Sequence, residues 1–274
     1  SDSRQRVLTG MLVPFAACSA RLSVFLVLAH AFFPKYAGLV VFLMYVASVM
    51  VILLVGVLLR HTMFRGLEPE PLMLALPAYQ CPRALQLARS VLLRLWGFIR
   101  GASVIIISMI TALWLLQGIP VTANAGDFAH VDDVHDSAYG VLADAVAPVF
   151  APAGFDDWHA SAALITGFVA KEVVVGSMSQ SYHADEPDDA ASQQAGEGTL
   201  GQKLRASFDQ SSHGHGKAAI AFLLFTLAYT PCLATVAEMR RQFGTKVAAR
   251  SVLLSLAVAY VIAIIAFQTL RLIW

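Results

Sequence analysis

Apolar residues in this chain come in long blocks separated by charged or proline-rich stretches, the pattern of helices buried on every side rather than of amphipathic helices or half-buried strands. Residues 7–34 are apolar except for Arg21, and Pro14 interrupts the first half of the block. Proline removes a backbone N–H and clashes with the preceding turn, so the carbonyl of Gly10 loses its helical donor and a broken helix is expected. Residues 36–59 carry no charge; at 1.5 Å per residue they can cross a hydrocarbon core of ~30 Å. The stretch 60–94 holds five arginines, two glutamates and Pro69, Pro71, Pro77 and Pro82, and reads as a basic loop. Its end, 84–95, has helical spacing and is expected along the membrane surface.

Residues 96–119 form the next span and Pro120 ends it. From there to residue 170 there is no lysine or arginine, only seven aspartates. Lysine and arginine set orientation, so the basic loop is expected in the cytoplasm and the acidic stretch outside. Two apolar pieces follow, 139–150 and 160–180, hinged at Pro148, Pro152 and Gly154. Residues 183–216 are polar, show no apolar period and read as a flexible linker. Residues 217–237 make a span containing Pro231, then come Arg240, Arg241, Lys246 and Arg250, and 251–270 is the last span. Simple crossings at 160–180 and 218–237 would put that basic cluster outside. The expected topology therefore has spans at 10–33, 36–59, 96–119, 218–239 and 251–270, with 139–182 entering and leaving from one face.

Composition agrees with the pattern. The 274 residues are 58% hydrophobic and 14% charged, with a mean hydropathy of +0.67, too apolar for a soluble domain of this size. The expected class is all-α: a polytopic transmembrane bundle with broken and re-entrant helices. A net charge of +1 gives no footprint for nucleic acid. Three cysteines make no disulfide framework. No Gly-x-x-x-x-Gly-Lys-Ser/Thr cradle for nucleotide phosphates occurs. The first residue is Ser1, so the chain is expected to be a portion of something longer or a processed form.

Charge inside an apolar block carries the chemistry. Lys171 and Glu172 stand side by side in Gly167-Phe168-Val169-Ala170-Lys171-Glu172-Val173-Val174-Val175-Gly176. At membrane depth each costs about 2.5–3.5 kcal/mol, so each needs a partner or a wet cavity. Neighbours on a helix point about 100° apart and cannot neutralise one another. Arg21 is a candidate partner for Glu172, and the flanking glycines favour a close-packed or unwound segment such as builds midplane sites in transporters. The plainer reading is an ion pair that only holds helices together. Cys18 follows Pro14 by four residues, and Cys232 follows Pro231, whose missing N–H frees the carbonyl of Leu227. Soft sulfur beside freed carbonyls suits transient coordination of a divalent transition metal, whereas an isolated intramembrane cysteine is ordinarily a small hydrophobe. His213 and His215 form a His-Gly-His pair in the linker, which reads first as solvated loop.

Several motifs occur in an order similar to that of the membrane domain of the bacterial ferrous iron transport protein B family. They are Val13-Pro14-Phe15-Ala16-Ala17-Cys18-Ser19-Ala20-Arg21-Leu22, Leu76-Pro77-Ala78-Tyr79, Pro148-Val149-Phe150-Ala151-Pro152-Ala153-Gly154-Phe155, Gly167 to Glu172, and Tyr229-Thr230-Pro231-Cys232. The resemblance reaches across nearly the whole chain outside 183–216, and departs at Ser19 and Ser23, where the family usually has Gly and Pro. It implies a multi-pass protein of the bacterial inner membrane that moves Fe(II) into the cytoplasm. The implied organisation is a core membrane segment with its basic loop at 1–95, the first part of a gate-type module at 96–182, the linker at 183–216 and terminal transmembrane helices at 217–274. Cys18, Cys232 and Glu172 become the implied metal contacts, and Lys171, Glu172 and Arg21 the gating or ion-pair charges.

The resemblance also implies that this chain is not itself an enzyme. GTP, with Mg, would be bound and hydrolysed by a G domain that precedes the membrane part in the family, and no resident cofactor is expected here beyond Fe(II) as the transported ion. The implied partners are the lipid bilayer and the N-terminal half of the transporter, with room for small accessory proteins and for a homo-oligomer. Two alternatives stay open: a gate-type carrier of an organic solute such as a nucleoside, and a scaffold subunit that conducts nothing.

Overall fold

The computed structural model describes residues 3–65, 83–121, 126–127, 130–131, 134–184, 198–212 and 216–273. Among these, eleven α-helices account for nearly all regular structure: α1 (Ser3–Leu12), α2 (Ser19–Phe32), α3 (Ala37–Thr62), α4 (Ala84–Gly118), α5 (Ala138–Val146), α6 (Trp158–Val169), α7 (Val174–Ser181), α8 (Thr199–Ser212), α9 (Lys217–Ala228), α10 (Leu233–Phe243) and α11 (Thr245–Ile273). One two-residue antiparallel ladder, Gly126–Asp127 with His130–Val131, is the exception.

Among the described residues, five segments are long and apolar enough to cross a membrane: Arg4–Phe32, Pro34–Thr62, Ala84–Gly118, Lys217–Phe243 and Thr245–Leu272. The chain is a multi-pass membrane protein, and these are the five spans that its apolar blocks predict. Two are fractured, α1–α2 at Pro14 and α9–α10 at Pro231. The outer face of α3 (Leu39, Phe42, Leu43, Val46, Met50, Leu53) is exposed and uncharged, as a lipid-facing surface must be. The stretch expected on the membrane surface at 84–95 is instead continuous with the following span: α4 runs unbroken for 35 residues, because nothing between Ala84 and Gly118 interrupts its backbone hydrogen bonds.

The region from 138 to 182 turns back on itself. α5 continues into a 3-10 segment, Ala147–Ala153, and the pair formed by Ala138–Ala153 and Trp158–Val169 is bent by 104°. Gly154 makes the corner at φ +79°, and a Cβ there would lie 2.1 Å from the Phe267 ring, so only glycine fits. α11 donates to carbonyls of the proline-broken 3-10 segment, Tyr260 OH to Val149 O at 2.8 Å and Gln268 Nε2 to Pro152 O at 3.2 Å. α6 and α7 then form a hairpin joined at Ala170 and a 3-10 turn, Lys171–Val173. At its base Tyr182 OH donates to Asp157 Oδ2 at 3.0 Å. The two ends of the hairpin therefore lie next to each other.

The polar stretch 183–216 differs from its reading as linker: within it lies α8, with Leu200, Leu204 and Phe208 buried in the main core. Apolar residues four apart in a polar background form a narrow stripe, enough for one face to bury when a partner is present. Phe208 packs edge-on against Phe32 and Phe222. Ser207 donates to Asp157, and Lys203 Nζ to the carbonyls of Tyr182 and His183 at 2.6 and 3.0 Å, so α8 clasps the base of the α6–α7 hairpin. His213 and His215 lie outside the described residues, as do residues 66–82, the middle of the stretch 60–94 read as a basic loop.

Candidate functional site

The two fractured spans meet at their breaks. α1 ends at Leu12, a 3-10 turn covers Val13–Phe15, and α2 starts after Cys18, which caps it in an extended conformation (φ −108°, ψ 163°). α9 ends at Ala228, and α10 starts after Cys232, again an extended cap (φ −58°, ψ 156°). Each cysteine thus sits at the N-terminus of a half-helix, the end carrying the positive pole of the helix dipole.

Breaks leave carbonyls without helical donors, and inside a membrane those must be satisfied by protein or water. In the first break Ser48, from the middle of α3, donates to Phe15 O at 2.9 Å. Arg21 satisfies the others: its Nη1 donates to Ala16 O at 3.0 Å and its Nη2 to Pro14 O at 2.8 Å. The same Nη2 reaches across to Tyr229 O at 3.2 Å, in the second break. One guanidinium, 3% exposed, therefore ties the two breaks together. It also interacts electrostatically with both Cys18 and Cys232. All its described hydrogen-bond partners are carbonyls, and its Nε has no partner among the described residues. The pairing of Arg21 with Glu172 finds no counterpart here: the Glu172 side chain lies outside the described residues, so its metal and gating roles rest on sequence alone.

The tip of the α6–α7 hairpin reaches the same place. Lys171, 7% exposed, lies with its Nζ 5.7 Å from the centre of the Tyr229 ring, a cation–π arrangement. Tyr229 OH donates to Leu164 O of α6, which fixes the ring against the hairpin. Lys171 and Arg21 border one void of about 20 Å³, together with Gly167, Thr226 and Tyr229. Gly167 permits this approach: a Cβ there would lie 2.7 Å from Val174 Cγ2 of α7. A buried network stiffens the hairpin, with Tyr139 OH bonded to Ala162 O and Thr166 Oγ1 at 2.6 Å each, and Thr166 to Ser177 at 3.1 Å.

Toward the arginine-rich end of the bundle the site opens. A recess of about 470 Å³ runs between α1 and α10, lined by Gln5, Thr9, Val13, Thr235, Glu238 and Gln242 among others. Thr235 Oγ1 lies 3.2 Å from Cys232 Sγ, so the recess borders the residue that contacts the thiol. Cys18 is exposed and Cys232 half-buried; both are free. No group of three or more His, Cys, Asp or Glu side chains comes together among the described residues. The arrangement offers two thiols, freed carbonyls and a polar recess, the makings of a passage with few, labile contacts rather than a closed metal cage. The structure thus joins the breaks that carry Cys18 and Cys232 through Arg21, and sets Lys171 beside Tyr229 in the second break. Ser48 and Thr235 also belong there, and no sequence signal singles them out.

Two family models match the chain: "Nucleoside recognition", the Gate model, over residues 99–246, and "Ferrous iron transport protein B C terminus" over residues 41–94. Among curated proteins, the Fe(2+) transporter FeoB of Salmonella typhimurium is 32% identical over 302 residues, covering 97% of this chain and 38% of the relative. Its namesake in Methanocaldococcus jannaschii is 32% identical over 266 residues (96% and 37%), and that of Escherichia coli K12 30% over 303 (97% and 38%). This chain spans less than two fifths of the length of these relatives. No solved structure gives a significant match.

Proposed function

Because the chain belongs to the ferrous iron transport protein B family, whose C-terminal membrane region it matches, we propose that it forms part of the path by which Fe(II) crosses the bacterial inner membrane into the cytoplasm. The observation that carries this reading is the meeting of two proline-broken helices, each capped by a cysteine and tied through Arg21. An ion crossing there can exchange water for thiolate and carbonyl, then leave through the recess beside Thr235 and Glu238. Fe(II) binds weakly in the Irving–Williams order, so a conduction site needs labile ligands, and Zn(II) and Mn(II) are natural competitors. Glu172 is a further contact on this reading. The chain acts as permease, not enzyme; GTP binding and hydrolysis belong to a G domain in the rest of a longer transporter, its principal partner alongside the bilayer.

The test is iron uptake in an uptake-deficient host carrying the full-length transporter with Cys18→Ser and Cys232→Ser together. Uptake should fall to the level of the empty host; undiminished uptake rejects the sulfur route. The Gate model's description favours a second reading, carriage of a nucleoside, with Lys171 facing the solute and the cysteines as packing. Uptake competed by nucleosides and indifferent to iron would decide for it.

A further inference from the structure

The hold that Arg21 has on both breaks suggests more than a brace. We propose that its guanidinium is a tethered stand-in for the transported ion: it occupies the carbonyl cage between Cys18 and Cys232 when no ion is present, and a divalent cation enters by displacing it. This rests on the reading of the two cysteines as the passage.

Three observations carry it. The groups that Arg21 holds, the carbonyls of Pro14, Ala16 and Tyr229 at 2.8–3.2 Å, are oxygen ligands drawn from both breaks, the set a cation crossing between the thiols would meet. A buried arginine ordinarily pairs with a carboxylate, yet among the described residues every hydrogen-bond partner of this one is a neutral carbonyl. Guanidinium is weakly hydrated and spans several acceptors with one planar fork, so it can sit in a dry cage that an ammonium would fill poorly. A divalent ion competes because two thiolates neutralise it fully, the thiol protons leaving as it binds.

A seated guanidinium lowers apparent ion affinity by the fraction of molecules in which the cage is free. If nine in ten are occupied, removing it raises affinity about tenfold. The experiment is titration of the full chain in nanodiscs with Co(II), whose bond to a thiolate gives a charge-transfer band. Arg21→Gln should bind at least about tenfold more tightly than the unsubstituted protein with the same band, and Arg21→Lys should fall between. A second measurement needs no variant: saturating Co(II) should speed modification of Arg21 by phenylglyoxal, read on its own peptide by mass spectrometry. Equal or weaker affinity in the variants, or Arg21 as protected with Co(II) as without it, overturns the stand-in and leaves the sulfur passage intact. A missing thiolate band in every protein overturns both.

Discussion

Gly167 is the tightest point of the α6–α7 hairpin, and replacing it by alanine gives a quantitative test of how Lys171 is placed. An added Cβ would meet Val174 Cγ2 at 2.7 Å, while the next neighbour, Tyr229 Cε1, is at 4.0 Å, an ordinary contact. The clash is thus with one methyl group of a β-branched side chain, which cannot swing away freely. Overpacking of this kind costs about 1–3 kcal/mol. On the scale of soluble domains of 150–250 residues that is about 2–4 °C in melting temperature per kcal/mol. Val174→Ala removes the offending methyl and its twin at a cost of about 1–3 kcal/mol for the lost packing. The double variant should therefore be more stable than the sum of the single losses, by about 1 kcal/mol or more in the coupling. Thermal unfolding of the four proteins in one detergent, followed by a thiol-reactive dye, gives the cycle. Losses that simply add, or a Gly167→Ala variant that melts with the parent, would refute the packing described for this hairpin.

Three further predictions concern the clasp, its helix and the topology. Burial, with the Asp157 carboxylate beside it, holds the Tyr182 phenol well above its usual range. Its stabilising share is fully present below the unfolded value of about 10 and is lost as pH rises through the higher folded value. A scan of melting temperature from neutral to strongly alkaline pH should show an alkaline loss that Tyr182→Phe reduces; identical profiles would argue against the clasp. Leu204→Ala, at a fully buried position on α8, should cost about 2–5 kcal/mol and make 199–212 a preferred protease site, read by mass spectrometry of the fragments. In a background without other cysteines, Ser212→Cys and Thr245→Cys should label from opposite faces of the membrane, since one span separates them; labelling from the same face would sink the topology.

The spans were legible because an uncharged run such as 36–59 has no other stable home, and the two fractures because proline cannot donate. The re-entrant region followed from counting arginines. What the sequence hid were partnerships set by which helices face one another. Arg21 reads in the sequence as a candidate mate for Glu172, and nothing in the sequence says that its Nη donors go to backbone oxygens exposed by the fractures themselves. Ser48 is one polar residue in a long apolar helix, and only the position of Phe15 O explains it. α8 was missed because Leu200, Leu204 and Phe208 are too sparse for a periodicity to stand out from Gln, Lys, Ser and Asp.

The clasp of Tyr182, Ser207 and Lys203 fixes the hairpin at one end only, while its tip rests against the junction of the fractured spans. The arm from Trp158 to Val169 has 12 residues, about 18 Å at helical rise. Mechanically it is a short stiff arm, clasped at its base and braced along its length by Tyr139. A tilt of about 10° at the base would carry the tip sideways by about 3 Å over that length, so the contact between Lys171 and Tyr229 depends on how firmly the clasp and the brace hold the arm.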